Sequence, residues 1–194
     1  MNVLVACEFS GTVRRAFAEM GHYAMSCDLL PADDDGWHHQ GDVAEVLDHN
    51  WDLMIAHPPC THLAVSGAAW FKDKVEEQKE ALKFVSMLMA APIPRICIEN
   101  PISVISTRIR KPDQIVQPWM FGHTEQKATC LWLKNLPKLT ETNNVKEQMM
   151  LLPKRERERL HYLGPSKDRW KLRSKTFEGL AQAMAEQWGN TNVS

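Results

Sequence analysis

Residues 53–65 read LMIAHPPCTHLAV, and this stretch decides the fold. The run DLMIAH has the length and composition of a buried strand. Pro58 and Pro59 cannot donate to a sheet ladder, so they end the strand and open a rigid loop with Cys60 at its mouth. Outward from there the pattern repeats. NVLVAC (2–7), YAMSCD (23–28), RICIEN (95–100) and KATCLWLKNL (127–136) are further strand-like runs. Between them, SGTVRRAFAEMGH (10–22) places Val13, Phe17 and Met20 on one helical face, with Gly21 as a stop. KVEEQKEALKFVSMLMA (74–90) places Val75, Leu82, Val85 and Leu88 or Met89 on one side, with charges opposite. TFEGLAQAMAEQWG (176–189) is a closing amphipathic helix. Strands alternating with helices predict an α/β fold, a mostly parallel Rossmann-like sheet with helices on both faces. In such sheets ligands sit beyond the carboxyl ends of the strands. Glu8, Asp28, Cys60 and Glu99 fall there, one per strand.

The bulk numbers set the frame. The chain has 194 residues, 44% hydrophobic and 24% charged, which fits one domain over 1–194. A net charge of −1 argues against a polyanion-binding surface spread over the whole chain, though not against a local basic cluster. No apolar run approaches the roughly 20 residues of a membrane span, so no membrane partner is expected. Five cysteines (Cys7, Cys27, Cys60, Cys97, Cys130) without a C-x-x-C pair fit reduced thiols and a cytoplasmic setting. Residues 140–175 differ from the rest, being polar, charged and punctuated by Pro and Gly. PKRERERL within them reads as a solvated helix start, with a phosphate contact as the sharper alternative.

Cys60 is the candidate nucleophile, since a cysteine offers the best thiolate once its pKa falls or substrate activates it. Glu99 stands at a neighbouring strand end. There, partial desolvation should raise its pKa, letting it hydrogen-bond or protonate a ring nitrogen. Nucleophile plus proton donor is what attack at C6 of an unactivated pyrimidine requires. The turn ACEFSGTVRRAF carries one glycine, Gly11, and Ser10 as an alternative plain helix cap. Asp28 closes the next strand, where an acid can hold ribose hydroxyls, and Asp42 is placed for an adenine amino group. His57 and His62 flank Cys60 and could lower its pKa. Zinc lacks the further Cys and His at the usual spacing, so no metal is expected. Trp70, Phe71, Trp119 and Trp132 are candidates for a base-stacking surface, or for core.

Together these residues resemble the DNA cytosine-5 methyltransferase family. EFSG stands where that family has its F-x-G-x-G loop, and CDLLP at its ribose-binding acid. GDVAEVLDHNWDLMIAHPPCTHLAVSG is similar to its G-D-I … G-G-P-P-C-Q stretch, and IENP to its E-N-V. KATCLWL corresponds to its R-x-R strand, and RSKTFEGLAQAMAEQW to its closing element. The resemblance covers about two thirds of the chain and implies a compact, phage-type DNA-modifying methyltransferase. S-adenosyl-L-methionine would be bound by Glu8, Phe9, Ser10, Gly11, Asp28, Leu29, Asp42, Val43 and Pro58. Cys60 would be the nucleophile and Glu99 the ring-nitrogen partner. Pro59, Asn100, Lys127 and Thr129 would line the substrate. The chain departs from the family at His57 (glycine in the family), Thr61 (glutamine) and Pro101 (valine). Residues 140–175 stand in place of the large target-recognition region. The expected substrate is cytosine in DNA. A pyrimidine nucleotide or RNA base, and a non-catalytic nucleic-acid or regulatory module, are the alternatives.

Overall fold

A computed structural model describes residues 1–65 and 74–190. Seven strands form one sheet in the order β3-β2-β1-β4-β5-β7-β6. They are β1 (Asn2–Ala6), β2 (Tyr23–Asp28), β3 (His38–Gln40), β4 (Leu53–Ala56), β5 (Arg95–Pro101), β6 (Gln114–Val116) and β7 (Thr129–Lys134). β1 through β5 pair in parallel. The chain therefore adopts the mostly parallel, Rossmann-like α/β sheet expected from the sequence. The strand order reverses between β1 and β4, which opens the crevice where such sheets take ligands.

Strand residues alternate between two apolar layers, as the two-residue period of a strand demands. Val3, Val5, Leu53, Ile55 and Leu131 face α1 (Thr12–Glu19) and α7 (Glu178–Gly189) through Val13, Phe17, Leu180, Met184 and Trp188. Leu4, Ala6, Met54, Ala56, Ile96 and Ile98 face α2 (Val75–Met89) through Val85 and Leu88. Burying each large side chain contributes about 1.5–3 kcal/mol before entropy is counted. Val75, expected on the apolar face of α2, is half exposed because it is the first residue of the helix.

Two short strands, β3 and β6, were not expected. The last strand also runs the other way, since β7 is antiparallel to both β5 and β6. After β5 there is no long crossover helix. The four-residue α3 (Ile105–Arg108) leads instead to the edge strand β6. A 3₁₀ turn, Pro118–Met120, and the loop after it bring the chain back as β7, between β5 and β6. A parallel neighbour would have needed a long crossover to the other end of the sheet, usually made by a helix.

The polar segment forms three short helices, α4 (Lys146–Leu151), α5 (Lys154–Arg157) and α6 (Arg169–Ser174). Backbone bonds from Val145 N–H to Trp119 O (2.8 Å) and from Gln126 N–H to Arg157 O (2.6 Å) tie it to the loop before β7. Among the described residues no helix is long and apolar enough to cross a membrane.

Candidate active site at the carboxyl ends of β1, β2, β4 and β5

The loop after β4 is braced from both sides. His57 N–H donates to Ala6 O at 2.9 Å, extending the ladder with β1 by one residue. The prolines then stop it. Pro58 O accepts from the buried Asn100 Nδ2 at 2.8 Å. Cys60 O accepts from the N–H groups of Leu63 (3.0 Å) and Ala64 (2.9 Å), closing a turn. Val65 N–H to Ile102 O (3.1 Å) and Val104 N–H to Leu63 O (3.0 Å) fasten that turn to the segment after β5. The P-P-C and E-N-P stretches are thus one braced unit. Asn100, expected to line the substrate, holds the loop through its amide nitrogen, while its buried Oδ1 has no partner among the described residues.

Of the five cysteines only Cys60 is exposed. Burial pushes the Cys27 thiol up to about 12 and the Cys130 thiol to about 11, and raises Cys7 and Cys97 as well. Accessibility therefore selects Cys60 as the nucleophile candidate. Its own thiol is also held above the ordinary value, first by the partial burial of the sulfur, then by the Glu99 charge; Lys127 and Arg173 oppose this.

Glu99 corrects a sequence expectation. His57 Nδ1 lies 2.8 Å from Glu99 Oε2, and both side chains are about nine-tenths buried. Burial alone would raise the Glu99 carboxyl. The hydrogen bond and charge of His57, with Lys127 beyond, outweigh it and hold the carboxyl below its ordinary value. Burial would likewise lower His57, but Glu99, and Glu8 at longer range, carry it above its ordinary value. The proton expected on Glu99 is therefore kept on its partner, and the two groups titrate as a pair. His57 is committed to Glu99, not to Cys60, and its Nε2 is buried without a partner among the described residues. Sequence reasoning had weighed His57 for the thiol and for zinc. The pairing joins residues 42 positions apart, which no local pattern reveals.

The β1–β2 side is built differently. Cys7 takes a left-handed backbone, φ 58°, at the end of β1, an uncommon conformation for a non-glycine residue. Glu8 then turns inward. Its Oε1 accepts from Val13 N–H (2.7 Å) and Ser10 Oγ (3.3 Å), and its Oε2 from Arg14 N–H (3.1 Å). Glu8, not Ser10, thus satisfies most of the orphan donors at the start of α1, with Ser10 Oγ making a longer contact to Thr12 N–H at 3.4 Å. Gly11 is the N-cap at φ 66°, and a Cβ there would meet Asp34 Oδ2 at 2.5 Å. The Asp34 carboxylate pairs with Arg14 and Arg15, which draws the loop after β2 over the turn. Phe9 is buried beneath Trp170 of α6, ring centroids 5.6 Å apart.

Asp28 Oδ1 accepts from Leu30 N–H at 3.0 Å, and its second oxygen takes no hydrogen bond from the described residues. Leu29 beside it is 74% exposed, an apolar surface at the crevice. Asp42 Oδ1 accepts from Ala44 N–H at 2.9 Å and caps the 3₁₀ turn Val43–Glu45, while the Val43 side chain points into the core. Lys127 reaches the Glu99–Cys60 neighbourhood and donates through Nζ to Arg173 O at 2.9 Å. Thr129 is buried at the start of β7, opposite Pro101. Trp132 is core, 1% exposed, its indole donating to Arg110 O at 2.8 Å. Trp119 is partly buried beneath Lys146. Trp70 and Phe71 lie outside the described residues.

No family model matches the chain, and no curated protein matches it. Among solved structures, an E. coli prophage-encoded protein provisionally described as a DNA modification methyltransferase matches with a TM-score of 0.43 and 16% identity. The match covers 79% of this chain, and the chain spans 56% of that one's length. The assignment of the fold rests on the sheet itself.

Proposed function

We propose that this chain is an S-adenosyl-L-methionine-dependent methyltransferase acting at C5 of cytosine in DNA, through a covalent adduct on Cys60. The observation that carries the reading is the braced unit. An exposed cysteine sits on a loop held by Asn100, beside a carboxylate whose proton is kept on a buried histidine. The cofactor supplies an electrophilic methyl group when bound. The residues present fit it. Asp28 has an oxygen left for ribose hydroxyls, and Leu29 offers an apolar face for a purine. Glu8 already fills the start of α1, where a dinucleotide's phosphates would sit, which suits a nucleoside carrying none.

The reaction then uses the chain's own groups. Glu99 accepts from the exocyclic amine of an extruded cytosine and, taking up the proton held on His57, donates it to N3. The Cys60 thiol gives its proton to water, the electron pair of the resulting thiolate adds to C6, and C5 becomes nucleophilic. As Glu99 shares its charge with the base, one cause of the raised Cys60 pKa weakens. Lys127 and Arg173 favour the thiolate throughout. After C5 is alkylated, water takes the C5 proton, the Cys60 sulfur leaves as thiolate, and the N3 proton returns to the Glu99–His57 pair as the ring is restored. The base must leave the stack for the sulfur to reach C6. The small size of residues 140–175 favours one second reading, a pyrimidine nucleotide or RNA base as substrate.

The test is a DNA strand carrying 5-fluorocytosine, incubated with protein and cofactor. Fluorine cannot leave as the proton does, so a covalent adduct on Cys60 is expected by mass spectrometry. Cys60→Ser should form none and turn over nothing, while binding cofactor as wild type does. An adduct on another residue, or turnover by Cys60→Ser, overturns the covalent reading. Methyl transfer to nucleotides or RNA but not to DNA selects the second substrate.

A further inference from the structure

Residues 154–175 carry nine Lys and Arg against three acids, a net +6 within a chain whose total is −1. The rest of the protein is therefore acidic, and the positive charge is gathered on the segment that flanks the candidate site. Gln126 N–H bonds to Arg157 O, Lys127 Nζ to Arg173 O, and Trp170 stacks near Phe9. Several of these cations are spoken for. Arg159 pairs with Glu125 at 2.8 Å and Lys175 with Asp33 at 2.8 Å, and Lys171 lies over the Phe9 and Trp170 rings. Lys154, Arg155 and Lys167 are exposed and have no described side-chain partner. Two large rings are interleaved with them, Tyr162 at 44% and Trp170 at 49% exposure.

We infer that residues 154–175 form the track for a single strand of nucleic acid leading to Cys60. Cations spaced along an exposed segment neutralise phosphates, and exposed rings give unstacked bases a face to lie on; the combination is that of a strand-binding groove. No base-reading side chain is needed, so affinity is independent of sequence. The inference rests on the proposed nucleic-acid substrate and assigns its surface. It also accounts for how a compact chain holds its substrate with only a short segment where a recognition domain could stand.

The experiment is fluorescence anisotropy of a labelled 15-nucleotide single strand with the full chain and no cofactor, across a salt series. The triple variant Lys154→Gln, Arg155→Gln, Lys167→Gln is compared with Lys79→Gln, Lys83→Gln on α2. Wild type should bind more weakly as salt rises. The triple variant should lose tenfold or more in affinity at low salt. Its log–log salt slope should be shallower by about two, at about 0.7 per phosphate contact on single strands. The α2 variant should match wild type, and thermal melts should be alike for all three. Equal losses in the α2 and triple variants, an unchanged triple variant, or tighter binding of duplex than of single strand overturns the inference. Since no cofactor or methyl transfer enters the measurement, strand binding lost in the triple variant of a protein that makes no Cys60 adduct removes the proposed function and keeps this surface. A Cys60 adduct together with undiminished binding by the triple variant does the reverse.

Discussion

The two halves of the sheet's carboxyl end treat their polar groups in opposite ways. On the β1–β2 side every expected acid is already bonded to backbone. Glu8 accepts from Val13 and Arg14, Asp28 from Leu30, and Asp42 from Ala44. On the β4–β5 side, His57 Nε2, His62 Nδ1, Asn100 Oδ1 and Ser103 Oγ are buried with no partner among the described residues. A buried polar atom without a partner costs about 1–3 kcal/mol. The first half thus commits its carboxylates to its own backbone and leaves one Asp28 oxygen open. The second half carries hydrogen-bonding capacity that a ligand can use.

The largest expected effect breaks the second half. Glu99→Gln keeps the shape and one donor but loses the negative charge that holds the proton on His57. Turnover should fall by about 10²–10⁴, the usual span for a general acid, with cofactor affinity nearly unchanged. Substrate affinity should change less than turnover, because the contact strengthens as N3 gains its proton. Single-turnover kinetics on a folded variant would measure this. Near-normal turnover removes the carboxyl from the mechanism.

The His57–Glu99 pair should also show in stability. The lowered Glu99 pKa contributes stability that is present above about pH 4.3 and lost as pH falls through its folded value. The raised His57 pKa contributes stability that is present below about pH 6.5 and lost as pH rises through its folded value. The pair is therefore worth most between about pH 4.5 and 6.5. Breaking a buried pair costs about 3 kcal/mol. His57→Ala should show a penalty of that size in denaturant melts near pH 6, and a smaller one at pH 9. An equal penalty at both values means the imidazole acts only as packing.

Next comes the first half. If Asp28 gives its second oxygen to ribose hydroxyls, Asp28→Ala should weaken cofactor binding by about 1.5–3 kcal/mol, the range for charged hydrogen bonds. Asp42→Ala should cost less, because its cap on Ala44 is exposed and Val43 faces the core. Calorimetry with both variants orders them. Equal losses, or none, would place the crevice elsewhere.

The same contrast explains what was legible in the sequence. Five strands could be read because their apolar runs end in an acid or a proline. β3, HHQ, and β6, QIV, are three residues each and carry no such pattern. The reversal of β7 depends on the missing crossover helix, a fact about the whole sheet. Cys60, Glu99 and Asn100 stood out because the P-P-C and E-N stretches fall at strand ends. What those groups bond to did not. Glu99 meets His57, Asn100 meets Pro58, and Glu8 turns onto its own helix. Each is a choice of rotamer among partners that only the fold supplies. The raised pKa expected for Glu99 failed for that reason, since desolvation was read correctly and the neighbour that outweighs it was not.

The smallest expected effect sharpens the comparison most. Glu8 was read as a cofactor residue, yet its carboxylate caps α1 with both oxygens. In Glu8→Gln the side-chain oxygen can keep Val13 N–H, but the amide nitrogen then faces Arg14 N–H, donor against donor. One hydrogen bond is lost, and a negative charge leaves the positive end of the helix, which together cost about 1–2 kcal/mol of folding stability. Cofactor affinity should fall less than that, because the carboxylate lies behind the crevice and its work is to hold the Phe9–Gly11 backbone in place. Denaturant melts and calorimetry on the same variant give the two numbers. A loss of affinity larger than the loss of stability means that Glu8 reaches the ligand directly. The β1–β2 side would then offer a second carboxylate beside Asp28 to its ligand, and the contrast between the halves would narrow.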